Sequence, residues 1–289
     1  KNAQAVEEFQ RKIAAMAVSG CGPARTPFVD LAPFLPLEGL AEVHDEICLA
    51  LARLPSGFTG GSHRSLGILP KNREDDVFGD YGEVFATLDD EGLATLAKLG
   101  DSPRWRAPLD ELRAATLGEE RDLPLSWAQQ RWLLVRHRVY FPWTTFHELM
   151  PVDRWDDKDD LAGKDFTREA KAFFPKTLRF LRRLPLVGIG RASILGLAPF
   201  HHGTVHRYAE PDAEPAEFIM LVPTADKQLF VWDDAAACAH PAPKTHALWF
   251  HDGDYHGVAA APYFRYSVRV DGPFNDEFRQ KIGIQEPLR

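Results

Sequence analysis

The segment that decides the fold opens with Ser193-Ile-Leu-Gly-Leu-Ala-Pro-Phe-His-His-Gly-Thr-Val-His206. It continues through Glu217-Phe-Ile-Met-Leu-Val-Pro223 and Trp249-Phe-His-Asp-Gly-Asp-Tyr-His256, and it closes with Phe264-Arg-Tyr-Ser-Val-Arg-Val-Asp271. Each piece is a short run rich in β-branched and aromatic residues, and Gly, Pro, Asp or Ala residues separate the runs. This pattern is typical of β-strands joined by turns. It predicts that the second half of the chain is rich in strands.

Helical spacing dominates the chain before this segment. Leu40, Val43, Ile47, Leu51 and Leu54 follow the three-four spacing of a helix with one buried face. Further helices are predicted over residues 2–17, 89–99, 109–116 and 166–184, and the last of these is expected to break at its internal proline, Pro175. Residues 130–141 instead alternate between apolar and polar, which predicts a strand, and the charge-dense residues 153–165 predict a solvated linker.

These elements together predict an α+β fold in which helices pack on a strand-rich core. We expect a helical region at residues 1–130 and a β core at residues 131–289, folded as one compact unit. The chain has 289 residues and is 45% hydrophobic, which is enough to bury a full core.

The composition excludes several classes of protein. The net charge is −8 and the basic residues are dispersed, unlike the basic stripe of a nucleic-acid-binding protein. No apolar run approaches the roughly 18 residues of a membrane span, and residues 1–17 resemble an amphipathic helix rather than a signal peptide. The three cysteines are too widely spaced to suggest a disulfide framework or a thiolate metal site. We therefore expect a cytoplasmic protein with no nucleic-acid or membrane partner, and the oligomeric state is not indicated.

Two histidines lie on two of the predicted strands, fifty positions apart, at His206 and His256. Arg265 follows nine positions after the second histidine. Imidazole is a good ligand for iron, and an arginine binds a carboxylate through two parallel hydrogen bonds. The arrangement therefore favours an open iron site with an anchored acid co-substrate. Ser267 faces the same way as Arg265 along its strand and could share that carboxylate.

The order of the motifs resembles the aspartyl/asparaginyl β-hydroxylase family of Fe(II)/2-oxoglutarate-dependent dioxygenases. The matching motifs are Pro175-Lys-Thr177, Leu197-Ala-Pro199, Phe218-Ile-Met-Leu-Val-Pro223, Trp249-Phe250 with Asp252, and Val270-Asp271. The resemblance covers residues 143–274 and implies a double-stranded β-helix, a jelly-roll or cupin-like barrel, with about eight main strands from Arg131 and Ala192 onward. It implies that His206 and His256 bind Fe(II), and that Arg265 binds the far carboxylate of 2-oxoglutarate.

Two positions depart from the patterns of these enzymes. Most iron/2-oxoglutarate enzymes have a carboxylate two residues after the first histidine, whereas this chain has His206-Arg-Tyr208; the resembled family usually has glycine there. That family also has an Arg-x-His pair that helps to bind 2-oxoglutarate, and this chain has Pro215-Ala-Glu217 instead. Either Arg207 compensates for the missing pair, or Glu217 supplies the missing carboxylate ligand. His201 is an alternative first ligand, and Arg269 is an alternative anchor.

The resemblance implies hydroxylation of an unactivated C–H bond with O2, while 2-oxoglutarate is decarboxylated to succinate. The expected substrate is an amino acid, an amino-acid-derived small molecule or a peptide side chain. One alternative is a halogenase with chloride in the carboxylate-free site, although the bulk of Tyr208 counts against it. Another is a non-redox, cupin-like metal-binding protein that uses His201, His202, His206 and His256. Candidates for binding an acidic substrate are Arg64, Arg136, Arg138 and Arg207.

Overall fold

The computed structural model of the chain describes residues 18–54, 85–115, 123, 125–137, 139, 143–151, 158–207 and 212–284. The elements in chain order are β1 (Val29–Asp30), α1 (Leu40–Leu51), α2 (Asp90–Lys98), α3 (Leu109–Ala114), α4 (Trp127–His137), β2 (Trp143–Glu148), α5 (Arg168–Phe173), α6 (Pro175–Leu181), β3 (Arg191–Leu197), β4 (Gly203–His206), β5 (Phe218–Leu221), β6 (Leu229–Asp233), β7 (Cys238–Pro241), β8 (Ala247–Trp249), β9 (His256–Val258), β10 (Arg265–Asp271) and α7 (Asp276–Lys281). The predicted helix over residues 2–17 lies outside the described residues.

The strands form two antiparallel sheets. The first has the order β1-β8-β5-β10-β3-β2, and the second has the order β4-β9-β6-β7. From β3 to β10, every connection crosses from one sheet to the other except the β6–β7 hairpin. The strands predicted around Ile194, Phe218 and Val268 are confirmed as β3, β5 and β10. The chain therefore has a mixed α/β fold with two antiparallel sheets, and its described part forms no closed barrel.

The helices confirm most of the helical prediction and correct one element. The helix over residues 166–184 does divide at Pro175, which begins α6. Residues 130–141 were predicted as a strand, but residues 127–137 form α4. After the short β1, the next strand therefore begins at Trp143 rather than at Arg131. The reason is a capping box before α4: Gln129 N donates to Ser126 Oγ, and Ser126 N donates to Gln129 Oε1 at 2.7 Å. The predicted division after residue 130 falls within α4, and the division itself stays a prediction.

The helices cover the outer face of the first sheet. On β10, the side chain of Tyr266 faces α1, where its hydroxyl is 2.8 Å from His44 Nδ1. In turn, α1 caps α6, because the Glu46 carboxylate accepts hydrogen bonds from the backbone N–H groups of Lys176 and Thr177. A separate apolar cluster joins α2, α3 and α4. No helix in the described part of the chain is long and apolar enough to cross a membrane.

The inner face of the first sheet carries charge. Every residue of β10 is buried, and alternation places Arg265, Ser267, Arg269 and Asp271 on the face opposite Tyr266. That face is turned towards the second sheet, since Arg269 reaches Asp252 in the loop before β9 at 2.8 Å. Charged groups in such a layer are usually paired or engaged with a ligand, which makes this face the place to look for a site.

Candidate active site

The two predicted histidines lie side by side in the second sheet. His206 at the end of β4 is the register partner of His256 at the start of β9, and the ring centroids are 4.5 Å apart. His256 is buried and His206 is half-buried. The alternating strand pattern thus brings together residues that are fifty positions apart. Both rings are close enough to face one small ligand.

The protonation of His256 is set by its surroundings. Its Nδ1 lies 2.8 Å from the Asp254 carbonyl oxygen, which can only accept, so Nδ1 carries the proton and the lone pair is on Nε2. Burial first, and the His206 ring next, lower the pKa of His256 well below the usual histidine value. The ring is therefore neutral near pH 7. A neutral imidazole whose second nitrogen donates to a backbone carbonyl is the form that binds metals.

Asp254 also fixes the loop before β9. Its carboxylate oxygens accept hydrogen bonds from Ser19 N at 2.7 Å and Gly20 N at 2.8 Å. Gly20 has a φ of +66°, and a Cβ there would lie 2.3 Å from the Arg25 carbonyl oxygen, so the position requires glycine. The segment at residues 18–21 therefore holds the loop that orients His256. Nothing in the local sequence of Asp254 indicates this distant partner.

Aromatic rings and an ion-pair network surround His256. The Phe250 ring is 4.8 Å from the His256 ring, and Phe218 packs edge-on against Phe250. The Arg269 guanidinium lies 3.8 Å from the centroid of the Phe218 ring and binds both Asp252 and Asp271 at 2.8 Å.

The carboxylate of Asp252 is the hub of this network. Lys158 approaches Asp252 at 3.6 Å and is itself buried. It is the exception to the predicted solvated linker, because residues 159–165 are exposed or half-buried. Burial alone would raise the pKa of Asp252, but Arg269 and then Lys158 outweigh it and hold that pKa below its usual range. The network is therefore charged near neutral pH.

Arg265 has a different environment from Arg269. It is 1% exposed, and its guanidinium donates to the carbonyl oxygens of His201 at 2.6 Å, Ala259 and Tyr263. Its Nε has no hydrogen-bond partner among the described residues, and no described carboxylate forms an ion pair with it. Burial lowers the pKa of Arg265, but an arginine keeps its charge under these conditions. It is a buried cation whose hydrogen bonds go to neutral oxygens.

Two further polar groups lie beside Arg265. Ser267 is fully buried, and its hydroxyl has no partner in the described part of the chain. Lys227 is 4% exposed, and its Nζ donates to the Leu195 carbonyl oxygen at 2.5 Å. Lys227 is not predicted from the sequence, because it lies in a polar turn between two apolar runs, a pattern typical of a solvated residue.

The structure places the other predicted residues elsewhere. Glu217 accepts two hydrogen bonds from Arg279 and one from Phe274 N, so its carboxylate is engaged away from the histidine pair. The Arg207 guanidinium lies 5.1 Å from the centroid of the Tyr255 ring. Arg136 is exposed on α4. Arg64, Arg138 and Tyr208 lie outside the described residues.

A third metal ligand is not evident in the described ranges, which contain no group of three or more His, Cys, Asp or Glu side chains able to hold a metal ion. His201, His202, His206 and His256 therefore form no such group in these ranges. A cleft of about 920 Å³ lies beside the ion-pair network, and its lining includes Lys158, Glu217, Trp249, Asp271 and Arg279 but neither histidine.

Comparison with known proteins yields structural likenesses only. No family model matches the chain, and no curated protein matches it. One similar structure is a Pseudomonas putida prolyl-4-hydroxylase, with a TM-score of 0.23 and 14% identity over 37% of this chain and 59% of that chain. The match thus spans less than two thirds of that enzyme.

Two further structures are similar to the chain. A Trichoplax adhaerens prolyl hydroxylase, solved with a peptide fragment of the oxygen degradation domain of hypoxia inducible factor, has a TM-score of 0.39 and 9% identity over 97% of this chain and 96% of that chain. AviO1 from Streptomyces viridochromogenes Tue57 has a TM-score of 0.25 and 12% identity over 48% and 72%. Since all three TM-scores are below 0.5, they establish neither fold nor function, and the resemblance to the aspartyl/asparaginyl β-hydroxylases stays a prediction.

Proposed function

We propose that the chain is an Fe(II)/2-oxoglutarate-dependent oxygenase that hydroxylates an unactivated C–H bond of an amino acid, an amino-acid-derived small molecule or a peptide side chain. The observation that carries the proposal is the His206–His256 pair, held on adjacent strands opposite a sheet face that buries Arg265. A simple metal-binding protein has no need for a buried cation of this kind, whereas a charged co-substrate does.

The order of the strands supports a double-stranded β-helix as the fold. Of the eight strands from β3 to β10, β3, β5, β8 and β10 pair in one sheet, and β4, β6, β7 and β9 pair in the other. This alternation between two facing antiparallel sheets is what a jelly-roll requires. Its inner faces would bring the histidines of one sheet opposite the arginine of the other.

Two imidazole groups, those of His206 and His256, are suitable ligands for ferrous iron. His206 and His256 would hold the ion, and the Asp254 carbonyl would keep the His256 lone pair directed at it. Bound iron would supply the activation of O2 for hydroxylation, coupled to the decarboxylation of 2-oxoglutarate to succinate. Two protein ligands leave coordination positions for a bidentate 2-oxo acid and for O2.

The remaining roles fall to side chains near the pair. Arg265 and Ser267 would hold the far carboxylate of 2-oxoglutarate, because each has a buried polar atom with no partner in the described residues. Phe250 and Phe218 would keep water away from the reacting atoms beside His256. Glu217 is left out of this site, since Arg279 engages its carboxylate.

Halogenation is the second candidate, because no described carboxylate completes a three-residue metal group with the two histidines. An open coordination position of this kind has room for chloride. Product analysis with and without chloride separates the two reactions. A chlorinated product that depends on chloride would replace hydroxylation in the proposal.

The test is iron binding together with succinate release. We expect the protein to bind Fe(II) and to release succinate from 2-oxoglutarate when a substrate from a panel of amino acids and short peptides is added. His256→Ala should weaken Fe(II) binding by at least 10–100-fold, the range known for losing even an indirect contact to a metal. The matched control is His246→Ala, an exposed histidine near the Val222 carbonyl, which should change neither reading.

Unchanged Fe(II) affinity in both His206→Ala and His256→Ala would refute the metal site. Iron binding without any 2-oxoglutarate turnover would refute the oxygenase and leave a metal-binding protein.

A further inference from the structure

We propose that the cleft of about 920 Å³ beside the ion-pair network binds an organic molecule that joins a primary ammonium group to an apolar body, and that the Asp271 carboxylate accepts from the ammonium. The volume lies within the range of roughly 300–1,000 Å³ that is usual for small-molecule sites. Neither His206 nor His256 lines the cleft, so the proposal does not depend on the proposed oxygenase activity.

The cleft lies at the edge of the first sheet where β10 ends and β5 begins. Asp271, the last residue of β10, is the register partner of Phe218, the first residue of β5. Residues 214–217 before β5 form one part of the lining, and Arg279 on α7 forms another. The two parts are joined, because Arg279 donates two hydrogen bonds to the Glu217 carboxylate. The shape of the cleft is therefore set by the fold before any ligand enters.

One oxygen of the Asp271 carboxylate has no partner in the described part of the chain. Its Oδ1 accepts from Arg269 Nε at 2.8 Å, whereas Oδ2 has no hydrogen-bond partner among the described residues. Asp271 is 2% exposed, and it lines the cleft. A buried acceptor without a hydrogen bond is destabilising, and a donor that enters from the cleft would remove this cost.

The charges in the lining favour a donor that is a cation. The described lining has four acidic residues and two basic ones. Both basic residues, Lys158 and Arg279, already have acidic partners. Asp159 and Glu214 are exposed, and neither forms an ion pair with a described residue. The cleft therefore has an excess of negative charge that a cationic ligand would balance.

The form of the cation follows from the single available oxygen. Because Arg269 occupies Asp271 Oδ1, the carboxylate cannot offer two parallel acceptors to a guanidinium group. One oxygen suits the single N–H of an ammonium group.

The rest of the lining accounts for the apolar body of the ligand. Its apolar members are Pro23, Pro215, Ala216, Trp249, Pro273 and Ile284. The indole N–H of Trp249 already donates to the Ala216 carbonyl at 2.8 Å, so the ring has no further donor for a ligand. A short hydrocarbon chain or an aromatic ring would pack against these residues.

The test is titration calorimetry with 4-phenylbutylamine, and with 4-phenylbutanol as its uncharged counterpart. The parent protein should bind the amine about tenfold or more tightly than the alcohol, which is the usual size of a hydrogen bond to a charged group. Asp271→Asn keeps an oxygen for Arg269 but removes the charge, so it should reduce the affinity for the amine to that for the alcohol. The guanidine analogue, 4-phenylbutylguanidine, should bind no more tightly than the amine.

Glu148→Gln is the matched control for Asp271→Asn. One oxygen of Glu148 accepts from Arg191, and the other has no partner among the described residues, as in Asp271. Glu148 is not part of the described lining of the cleft. Its substitution should therefore leave the affinity for the amine unchanged.

A second variant keeps the test independent of folding. Asp159→Asn combined with Glu214→Gln removes two exposed charges from the lining. The affinity for the amine should fall by about two- to fivefold, and the effect should shrink at high salt.

Equal affinities of the amine and the alcohol for the parent protein would overturn the proposal, and so would an Asp271→Asn variant that binds the amine as tightly as the parent does. If Asp271→Asn does not fold, an unchanged affinity in the double variant overturns it instead. A guanidine that binds tenfold more tightly than the amine would overturn the choice of an ammonium group. All these measurements are made without iron, so their failure leaves the proposed oxygenase intact.

Discussion

Arg265 and Arg269 share one face of one strand, yet their neighbours give them different roles. Arg269 is paired with Asp252 and Asp271, so its charge is already balanced within the protein. The hydrogen bonds of Arg265 go to backbone carbonyls, which leaves its full positive charge to act on a ligand. This difference favours Arg265 as the co-substrate anchor, an alternative that the sequence left open. Four residues along a strand are enough to separate an ion-paired arginine from one that is bonded only to backbone carbonyls among the described residues.

Lys227 should make the stability of the protein depend on alkaline pH. The folded chain gives up the Lys227 proton at a pH well below 10.5, because of burial and the Arg265 charge, while the unfolded chain keeps it to about 10.5. Between those two values the unfolded chain binds more protons, so the free energy of unfolding should rise with pH. The slope is at most about 1.4 kcal/mol per pH unit for one proton.

Urea unfolding between pH 7 and pH 10, in buffer without carboxylic acids, measures this slope. Lys227→Met lacks the titrating group, so its unfolding free energy should exceed that of the parent at pH 7, and the difference should shrink as the pH approaches 10. Arg265, whose charge lowers the pKa of Lys227, is present in both proteins, so its own contribution to stability cancels in the comparison. Parallel curves for the two proteins would mean that Lys227 keeps an ordinary pKa.

Among the helices and strands, the local sequence predicted the type of element correctly where one face of that element is buried. The leucine and valine spacing of α1 and the β-branched runs of β3, β5 and β10 predict what the structure contains. The failure is α4, where Leu133, Val135 and His137 suggest alternation although Val135 is 73% exposed. The helix there is set by its first turn, and the Ser126-x-x-Gln129 signature would have indicated it.

The Ser126 cap should therefore carry much of the stability of the helical cluster. Its hydroxyl accepts from Gln129 N and also donates to the Leu99 carbonyl at 2.6 Å, which ties α4 to the end of α2. Ser126→Ala should lower the free energy of unfolding by about 1–2 kcal/mol in urea denaturation.

Ser102→Ala is the matched control for this cap. The Ser102 hydroxyl accepts from Arg104 N at 3.3 Å in an exposed turn, and its loss should cost about 0.5 kcal/mol or less. If both variants lose the same free energy of unfolding, the hydrogen bond from Ser126 Oγ to the Leu99 carbonyl contributes nothing to stability.

At the scale of the whole molecule, the site is built from contacts that no local pattern contains. His206 and His256 could be proposed from their strands, but the burial of Lys227 depends on which carbonyl it meets across the sheet. Likewise, Asp254 is held by Ser19 and Gly20, more than two hundred positions earlier in the chain. Glu217 looked like a ligand because its position in the sequence suited one. Its actual partner, Arg279, lies on a C-terminal helix whose docking the sequence does not specify.

The ion-pair network around Arg269 joins residues that are far apart in the sequence, namely Lys158, Asp252 and Asp271. Its loss should lower the free energy of unfolding. Arg269→Met would leave the buried carboxylates of Asp252 and Asp271 without the cation between them. Breaking a buried pair by removing one partner costs about 3–5 kcal/mol, and we expect a loss of that size in the free energy of unfolding at pH 7. The control is Lys281→Met, which breaks the exposed Lys281–Glu277 pair on α7 and should cost about 0.5 kcal/mol or less.

Acid should narrow the difference between Arg269→Met and the parent protein. In the parent, Arg269 and Lys158 hold the pKa of Asp252 below its usual value, so the stability it contributes is present above about pH 4 and is lost as the pH falls through the lowered pKa. Without Arg269, the largest effect that opposes burial is gone, so the pKa of Asp252 should be higher in the variant than in the parent. Protonation should therefore relieve the variant at a higher pH than it weakens the parent. Adding Asp252→Asn to Arg269→Met should recover part of the loss at pH 7, because the uncompensated charge is then removed. A pH-independent difference between variant and parent, with no recovery in the double variant, would mean that Arg269 stabilises the first sheet by packing on Phe218 rather than by its charge.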